Sequence, residues 1–184
     1  MVLGGAFFRR DACARPAGKL YAKAVEQARQ PEFYASHGVP DTVDGRFELI
    51  ALHVFLLLHR LKQDHPASAD LAQAVFDLMF LDMDQNLREL GVGDLGVPRR
   101  IKDMVQGFYG RIAAYEAGLP EGGGDLEAAL RRNLYGTVRP APASVAAVAA
   151  YVHAQVAALS RQDYAALAAG ELTFGAATAP DLAR

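Results

Sequence analysis

The stretch from Phe47 to Leu61 constrains the fold more than any other part of the sequence, because it is apolar almost all round a helix. Its apolar positions are Phe47, Leu49, Ile50, Leu52, Val54, Phe55, Leu56, Leu57 and Leu58. A helix without a broad polar face must be covered on most sides. We therefore predict that this helix is the most buried element of a helical bundle. The alternative is that part of it lines a groove for a hydrophobic partner.

Polar residues interrupt this stretch and argue against a membrane span. Glu48, His53, His59 and Arg60 leave it well short of the roughly 20 apolar residues that cross a bilayer. The first residues, MVLGGAFFRR, place their arginines after an apolar run, which is the reverse of a secretory signal. We expect a soluble protein with a short N-terminal arm over residues 1–15.

Composition favours one ordinary domain. The chain has 184 residues, of which 52% are hydrophobic, enough to close a core of its own. Its formal net charge is -2, so the molecule as a whole has no strong attraction for DNA or for anionic lipid. The single cysteine, Cys13, forms no internal disulfide, and it indicates a reducing compartment.

Helical periodicity dominates the chain, and no alternating run bounded by hairpin turns indicates a sheet. The predicted fold class is all-α, a compact multi-helix bundle over residues 16–170 with a frayed tail over 171–184. The predicted helices run from near Pro16 to Gln30, Asp44 to Asp64, after Pro66 to before Gly91, Pro98 to Ala117, Asp125 to Tyr135 and Ser144 to Ser160.

Two motifs imitate cofactor sites, and neither has the context that its ligand requires. Residues 91–96 spell G-x-G-x-x-G, but a helical segment precedes them where a dinucleotide site needs a strand. We interpret them as a tight interhelical turn that needs glycine torsions. Asp82, Asp84 and Asn86 resemble the start of a calcium loop, whose later positions require Gly and Glu but are Leu87 and Gly93 here.

Other candidates for chemistry are equally weak. His53, His59 and His65 are six residues apart, so a helix scatters them over different faces. No activated nucleophile is apparent. The sequence therefore predicts no catalytic residue, no metal site and no cofactor, and we expect a protein that is not an enzyme.

Two polar residues violate the pattern of the helix that ends before Gly91. Asp82 and Asn86 fall within its apolar arc, where a carboxylate needs a compensating partner. Arg111, at the edge of the next helix's apolar stripe, is the first candidate, which predicts a polar clamp of Asp82, Asn86 and Arg111. Gly107 and Gly110 have little propensity for a helix interior, so they suggest close backbone approach to another helix or to a partner.

These residues lie within a longer resemblance to a known family. Residues 76–115, FDLMFLDMDQNLRELGVGDLGVPRRIKDMVQGFYGRIAAY, contain D-M-D-x-N-L-R-E, G-V-G-D and F-Y-G-R. Upstream, residues 33–61 spell FYASHGVPDTVDGRFELIALHVFLLLHRL. Both segments resemble the ubiquinol-cytochrome c chaperone family, from whose pattern Pro98 is the main departure.

The resemblance implies an all-helical chaperone that binds newly synthesised cytochrome b and promotes assembly of the cytochrome bc1 complex, respiratory complex III. It also implies the ribosome and a small partner chaperone as further partners, with peripheral membrane contact. The compact chain and weak targeting segment look more like a bacterial member, which would act on the cytoplasmic side of the inner membrane, than like a mitochondrial precursor, which would act on the matrix side.

Charged and polar residues around the 91–96 loop are the expected partner-binding set. They are Asp84, Arg88, Asp94, Arg99, Arg100, Lys102, Tyr109 and Arg111. The alternative function is a peripheral lipid-binding helical module without a protein client, which would use Arg99, Arg100 and Lys102.

Overall fold

The computed structural model describes residues 4–120 and 125–177, and within them it contains eight helices and no β-strand. The helices are α1 (Gly4–Ala28), α2 (Glu32–Ala35), α3 (Val43–Lys62), α4 (Ala69–Glu89), α5 (Val97–Gly118), α6 (Leu126–Arg132), α7 (Pro142–Leu159) and α8 (Tyr164–Ala168). The predicted all-α bundle is confirmed.

Helix α3 is the centre of the bundle. It packs against α1, α4 and α7, and it buries more residues than any other helix of the described chain. Leu49, Leu52 and Leu56 have no exposed surface. The helix begins after Thr42, whose Oγ1 accepts a hydrogen bond from the Gly45 N–H at 3.1 Å, so the N-cap lies two residues before the predicted Asp44. The prediction that this is the most buried element is confirmed.

Helices α4 and α5 pack side by side over the apolar faces that the periodicity predicts. Leu71, Val75 and Met79 of α4 are buried. Phe80 lies 6.0 Å from Phe108 of α5, measured between ring centroids. Helix α4 also packs along α1, so three helices surround it.

Both predicted chain ends differ from the structure. Helix α1 begins at Gly4, so the arm predicted over residues 1–15 is wrong for residues 4–15; residues 1–3 lie outside the described residues. Pro16 lies inside the helix instead of starting it. Beyond Gly170, residues 171–177 have no regular secondary structure, but they pack against the bundle and bury Leu172 and Ala177. The frayed tail is therefore wrong over 171–177, and 178–184 fall outside the described residues.

Helix α7 is, within the described residues, the one helix long and apolar enough to cross a membrane by length and composition. A buried core helix meets the same criterion. Val145, Val148 and Val152 of α7 are fully buried, and the helix packs against α3 and α6. The large apolar side chains of α7 therefore belong to the core, whereas alanines make up much of its exposed surface.

Candidate functional site

A groove opens between the N-terminal end of α3 and the C-terminal half of α4. It consists of two adjoining cavities of about 880 and 540 Å³. Both cavities are lined by Val43, Phe47, Met83, Asn86 and Leu90, and we call them together the central groove. Val43 and Leu90 are 64% and 62% exposed, whereas Met83 is buried. The groove therefore has an exposed apolar rim, formed by Val43 and Leu90, and an apolar floor that includes Met83.

The apolar stretch in α3 was predicted either to be buried in the core or to line a groove in part, and the structure shows both. Most of that helix is core, but its first turns are left partly uncovered, and Phe47 and Ile50 line the first cavity. Apolar side chains that line a surface groove in this way form a candidate binding surface.

An ion pair lies in the second cavity. Arg111 of α5 donates from Nε to Glu48 Oε2 at 2.7 Å and from Nη2 to Glu48 Oε1, so the contact is bidentate. Its guanidinium carbon also lies 5.6 Å from the Phe47 ring centroid. Burial raises the pKa of Glu48, and the Arg111 hydrogen bonds oppose that rise without cancelling it.

The predicted pairing of Asp82 with Arg111 is therefore wrong. Asp82 accepts a hydrogen bond from the Tyr21 hydroxyl at 2.6 Å, and Asn86 Nδ2 donates to its Oδ1 at 3.2 Å. The physical reason is orientation: the side of α4 that carries Asp82 faces α1, where Tyr21 lies, and not α5. The need for a partner was correctly inferred, but the partner is a neutral hydroxyl.

Of the two α5 glycines that the sequence analysis named, Gly107 has a local role. A Cβ on Gly107 would lie 2.8 Å from Arg111 Nη1, so the missing side chain leaves room for the guanidinium. The expected close approach thus involves a residue of the same helix and not a neighbouring backbone. A Cβ on Gly110 would meet nothing within 4 Å, and nothing in the structure explains this glycine.

The remaining predicted partner-binding residues divide between the groove and the outer surface. Arg100 and Arg111 line the groove, together with Asp82 and Asn86 of the predicted clamp. The others lie outside it, namely Asp84, Arg88, Asp94, Arg99, Lys102 and Tyr109. Arg88 joins Asp84 and Asp94 through 2.6 Å contacts. Tyr109 is 58% exposed.

Glu48 is the groove-lining residue that the sequence analysis missed. It appeared there only as an interruption of an apolar stretch. The same argument that demanded a partner for Asp82 applies more strongly to Glu48, because it lies in the helix with the least polar surface. The sequence around Val43 and Leu90 does not predict their exposure, because that exposure depends on how the helices pack against one another.

The Gly91–Gly96 segment is the interhelical turn that the sequence predicts. Gly91 has a φ of +81°, in the left-handed region that glycine favours. Its N–H donates to the Arg88 carbonyl, and the Val92 N–H donates to the Leu87 carbonyl, which closes α4 with a Schellman motif. The preceding element is a helix. Among the described residues, no group of three or more His, Cys, Asp or Glu side chains could hold a metal ion.

A second polar cluster is sealed inside the bundle. His53 Nδ1 lies 2.7 Å from the Leu49 carbonyl oxygen, so this nitrogen donates, and Nε2 accepts from the Tyr151 hydroxyl at 2.8 Å. Gln27 Nε2 donates to the Tyr151 hydroxyl and to the Gly175 carbonyl. Burial lowers the pKa of His53 to about 4, so the ring is neutral near pH 7. The cluster fastens the 171–177 segment to α1, α3 and α7, which indicates a structural role.

An apolar groove on the surface of a helical bundle is a form of surface on which a segment of another molecule can dock. The family model described as Ubiquinol-cytochrome C chaperone matches residues 35–174, well over half of the chain. The chain therefore belongs to the ubiquinol-cytochrome c chaperone family, a family of assembly factors, which confirms the resemblance seen in the sequence.

Three relatives show how far this similarity extends. Ubiquinol-cytochrome-c reductase complex assembly factor 1 of Xenopus laevis is 28% identical over 145 residues, which are 79% of this chain and 72% of that protein. The Mus musculus protein is 27% identical over 138 residues, 75% of this chain but 47% of its own length. The crystal structure of the Cbp3 homolog from Brucella abortus is 41% identical, with a TM-score of 0.80, covering 96% of this chain and 98% of that one.

Proposed function

We propose that this chain is an assembly chaperone that binds newly synthesised cytochrome b and promotes assembly of the cytochrome bc1 complex, with the central groove as the client-binding site. The observation that carries the proposal is the groove itself, whose apolar rim residues Val43 and Leu90 remain exposed above a largely buried apolar floor. The proposed activity is binding and release of the client, without a chemical step.

The chemistry of the groove suits a segment of a membrane protein. A transmembrane helix outside its membrane presents apolar side chains, and an apolar groove accepts such a helix through side chains spaced three or four residues apart. Residues of both charges also line the groove, including Arg29, Asp82, Glu89 and Arg100. They can contact the charged loops that flank a transmembrane helix, which gives orientation as well as affinity.

The apolar rim of the groove, Val43 and Leu90, supplies a driving force for client binding. Fully burying a Val or Leu side chain is worth about 1.5 to 3 kcal/mol relative to leaving it exposed. Val43 and Leu90 forgo most of this in the free protein, because each is more than half exposed. A client that covers both side chains recovers that free energy, whereas a charge introduced at either position opposes binding.

Leu90→Asp tests the proposal, and α4 offers a matched control. Leu81 is 65% exposed, comparable with Leu90, but it does not line the groove. We expect a tagged wild-type chain and Leu81→Asp to capture cytochrome b from detergent-solubilised membranes containing newly made protein. Capture by Leu90→Asp and by Val43→Asp should fall at least tenfold while both variants melt close to wild type.

Two results would contradict the proposal in different ways. If the wild-type chain captures no cytochrome b, then the client is wrong. If Leu81→Asp and Leu90→Asp capture it equally well, then the client is right but the groove is not its site.

The proposed client fixes the proposed location. Cytochrome b enters the membrane from the side on which it is made, so the chain would act at the cytoplasmic face of the inner membrane, or at the matrix face in a mitochondrion. The ribosome and a small partner chaperone remain predictions from the family.

A further inference from the structure

Asp82 lines the first cavity of the central groove with its charge uncompensated, and its side chain is half-buried. The Tyr21 hydroxyl donates to its Oδ2 at 2.6 Å, and Asn86 Nδ2 donates to its Oδ1 at 3.2 Å. Both donors are neutral. No Lys, Arg or His nitrogen of the described residues lies within 4.0 Å of this carboxylate. The two contacts therefore fix the orientation of the carboxylate without neutralising its charge.

Tyr21 keeps its proton for this contact. Burial, and then the hydrogen bond to Asp82, raise the pKa of Tyr21 well above its ordinary value of 10. The hydroxyl is therefore a neutral donor near pH 7, and it holds one oxygen of the carboxylate against α1 while the groove side stays open.

The other charges of the first cavity leave this carboxylate available. The cavity is lined by two cations, Arg29 and Arg46, and by three carboxylates, Asp41, Asp82 and Glu89. Arg46 binds Asp41 at 2.6 Å, so these two neutralise each other. Arg29 and Glu89 are both exposed and remain solvated. Asp82 is thus the half-buried charge of the cavity, next to the apolar floor.

A client that covers Asp82 changes its environment. Water solvates the carboxylate in the free chain, but an apolar segment that fills the cavity removes this water. Burying a charge without a compensating partner is costly. A segment that is apolar throughout binds against that cost, whereas a segment with a Lys or Arg at this position avoids it through a charge-assisted hydrogen bond. A penalty against the wrong partner is a general source of specificity.

We propose that Asp82 is a specificity-determining residue of the central groove, which selects an apolar helical segment carrying one basic side chain over a segment that is apolar throughout. This inference rests on the proposed function, because it takes the groove as the client-binding site. Tyr21 is a positioning residue, since it acts through Asp82. Ionisable residues are rare within transmembrane helices, so this requirement would distinguish a few segments of a membrane protein from the rest.

Peptide binding to the full chain tests the proposal without a native client. Three labelled helical peptides of leucine and alanine differ only in a central lysine, glutamine or glutamate, and fluorescence anisotropy in mild detergent gives their affinities. We expect wild type to bind the lysine peptide at least about tenfold more tightly than the glutamine peptide, and the glutamate peptide most weakly. Asp82→Asn keeps an acceptor for the Tyr21 hydroxyl but removes the charge, so the two affinities should then agree within about twofold.

Glu89 offers a matched control in the same helix. It lines the same cavity and accepts a hydrogen bond from a neutral amide, Gln85 Nε2, at 3.1 Å, but it is exposed. Glu89→Gln should keep at least about half of the lysine preference, because an exposed carboxylate contributes little to an ion pair. Arg29→Gln should not weaken binding of the lysine peptide, since it removes a like charge. Tyr21→Phe keeps the Asp82 charge and should keep the order of the three peptides.

A charge reversal provides a second variant at the same position. Asp82→Lys should prefer the glutamate peptide to the lysine peptide, and thermal melting of every variant checks that it is folded. The ratio of affinities separates recognition from a structural role, because a variant that only distorts the groove weakens all three peptides alike.

Several results would overturn the proposal. They are equal affinity of wild type for the lysine and glutamine peptides, no binding of any peptide, and an unchanged ratio in Asp82→Asn. An equal loss of preference in Glu89→Gln would assign the preference to the general charge of the groove and not to Asp82. Capture of cytochrome b that depends on Leu90 but not on Asp82 would remove this inference and leave the proposed function standing. A lysine preference without any capture of cytochrome b would do the reverse.

Discussion

Replacing Arg111 by Ala leaves the Glu48 carboxylate without its cation. The Glu48 side chain is 11% exposed and that of Arg111 is 19% exposed, so water cannot replace the lost hydrogen bonds well. Breaking a buried ion pair by removing one partner costs about 3 to 5 kcal/mol, whereas an exposed pair contributes less than about 1. Because both side chains keep some contact with water, we expect a loss of about 3 kcal/mol, measured by urea unfolding at pH 7.

The loss should depend on pH in a defined direction. Burial already holds the pKa of Glu48 above its ordinary value of 4.5, and removing Arg111 raises it further. A carboxyl whose folded pKa exceeds its unfolded pKa is stabilising in its protonated form, and this contribution is lost as the pH rises through the folded pKa. The difference between Arg111→Ala and wild type should therefore shrink as the pH falls towards 4.5.

Double-mutant cycles separate the two possible partners of Arg111. Glu48→Ala and Arg111→Ala should be coupled by more than about 1 kcal/mol, because they remove the same contact. Asp82→Ala and Arg111→Ala should add to within about 0.5 kcal/mol. A cost below 1 kcal/mol at pH 7, or a stronger coupling to Asp82, would refute the assignment. If Arg111→Ala keeps full stability yet loses cytochrome b capture, then Arg111 belongs to the client-binding surface instead.

Two further predictions concern the sealed side of the bundle. The His53 pKa of about 4 lies below the ordinary 6.5, so the neutral ring stabilises the fold by on the order of 3 kcal/mol above pH 6.5, and this contribution is lost as the pH falls through 4. The free energy of unfolding, measured at several pH values, should fall over this range, and His53→Gln should reduce that pH dependence. Leu172→Ala should lower the free energy of unfolding by about 2 to 3 kcal/mol, because this side chain is 6% exposed. The control Thr173→Ala, at an exposed position, should lower it by less than about 0.5 kcal/mol. Equal losses in thermal or urea unfolding would mean that residues 171–177 do not pack against the bundle.

The helices of the core are predictable because their signals are local. The apolar stretch of α3 and the one-sided pattern of α4 each repeat along a single segment, and burial follows from the repeat. The turn at Gly91 is equally local, since the left-handed conformation needs glycine just after the last helical residue.

The chain ends depend on contacts that no local pattern contains. Pro16 is typical of a first helical turn, yet α1 continues through it while packing along α4. The 171–177 segment has no helical periodicity, and its hydrogen bonds reach Gln27 and Gln155, far away in sequence. A segment held by such distant partners has the same local appearance as a frayed tail.

The pairing of charges in the groove shows where local reasoning stops. A carboxylate in an apolar arc requires a partner, and this rule applies equally to Glu48 and Asp82, while Arg111 can satisfy only one of them in a bidentate contact. The choice depends on which face of each helix meets which neighbour. In the structure, Arg111 crosses to α3 and lies against Phe47, so the pair fixes one end of the groove floor. A substitution that breaks the pair therefore alters the shape of the proposed client site as well as the stability of the bundle, which is why capture and unfolding must be measured on the same variants.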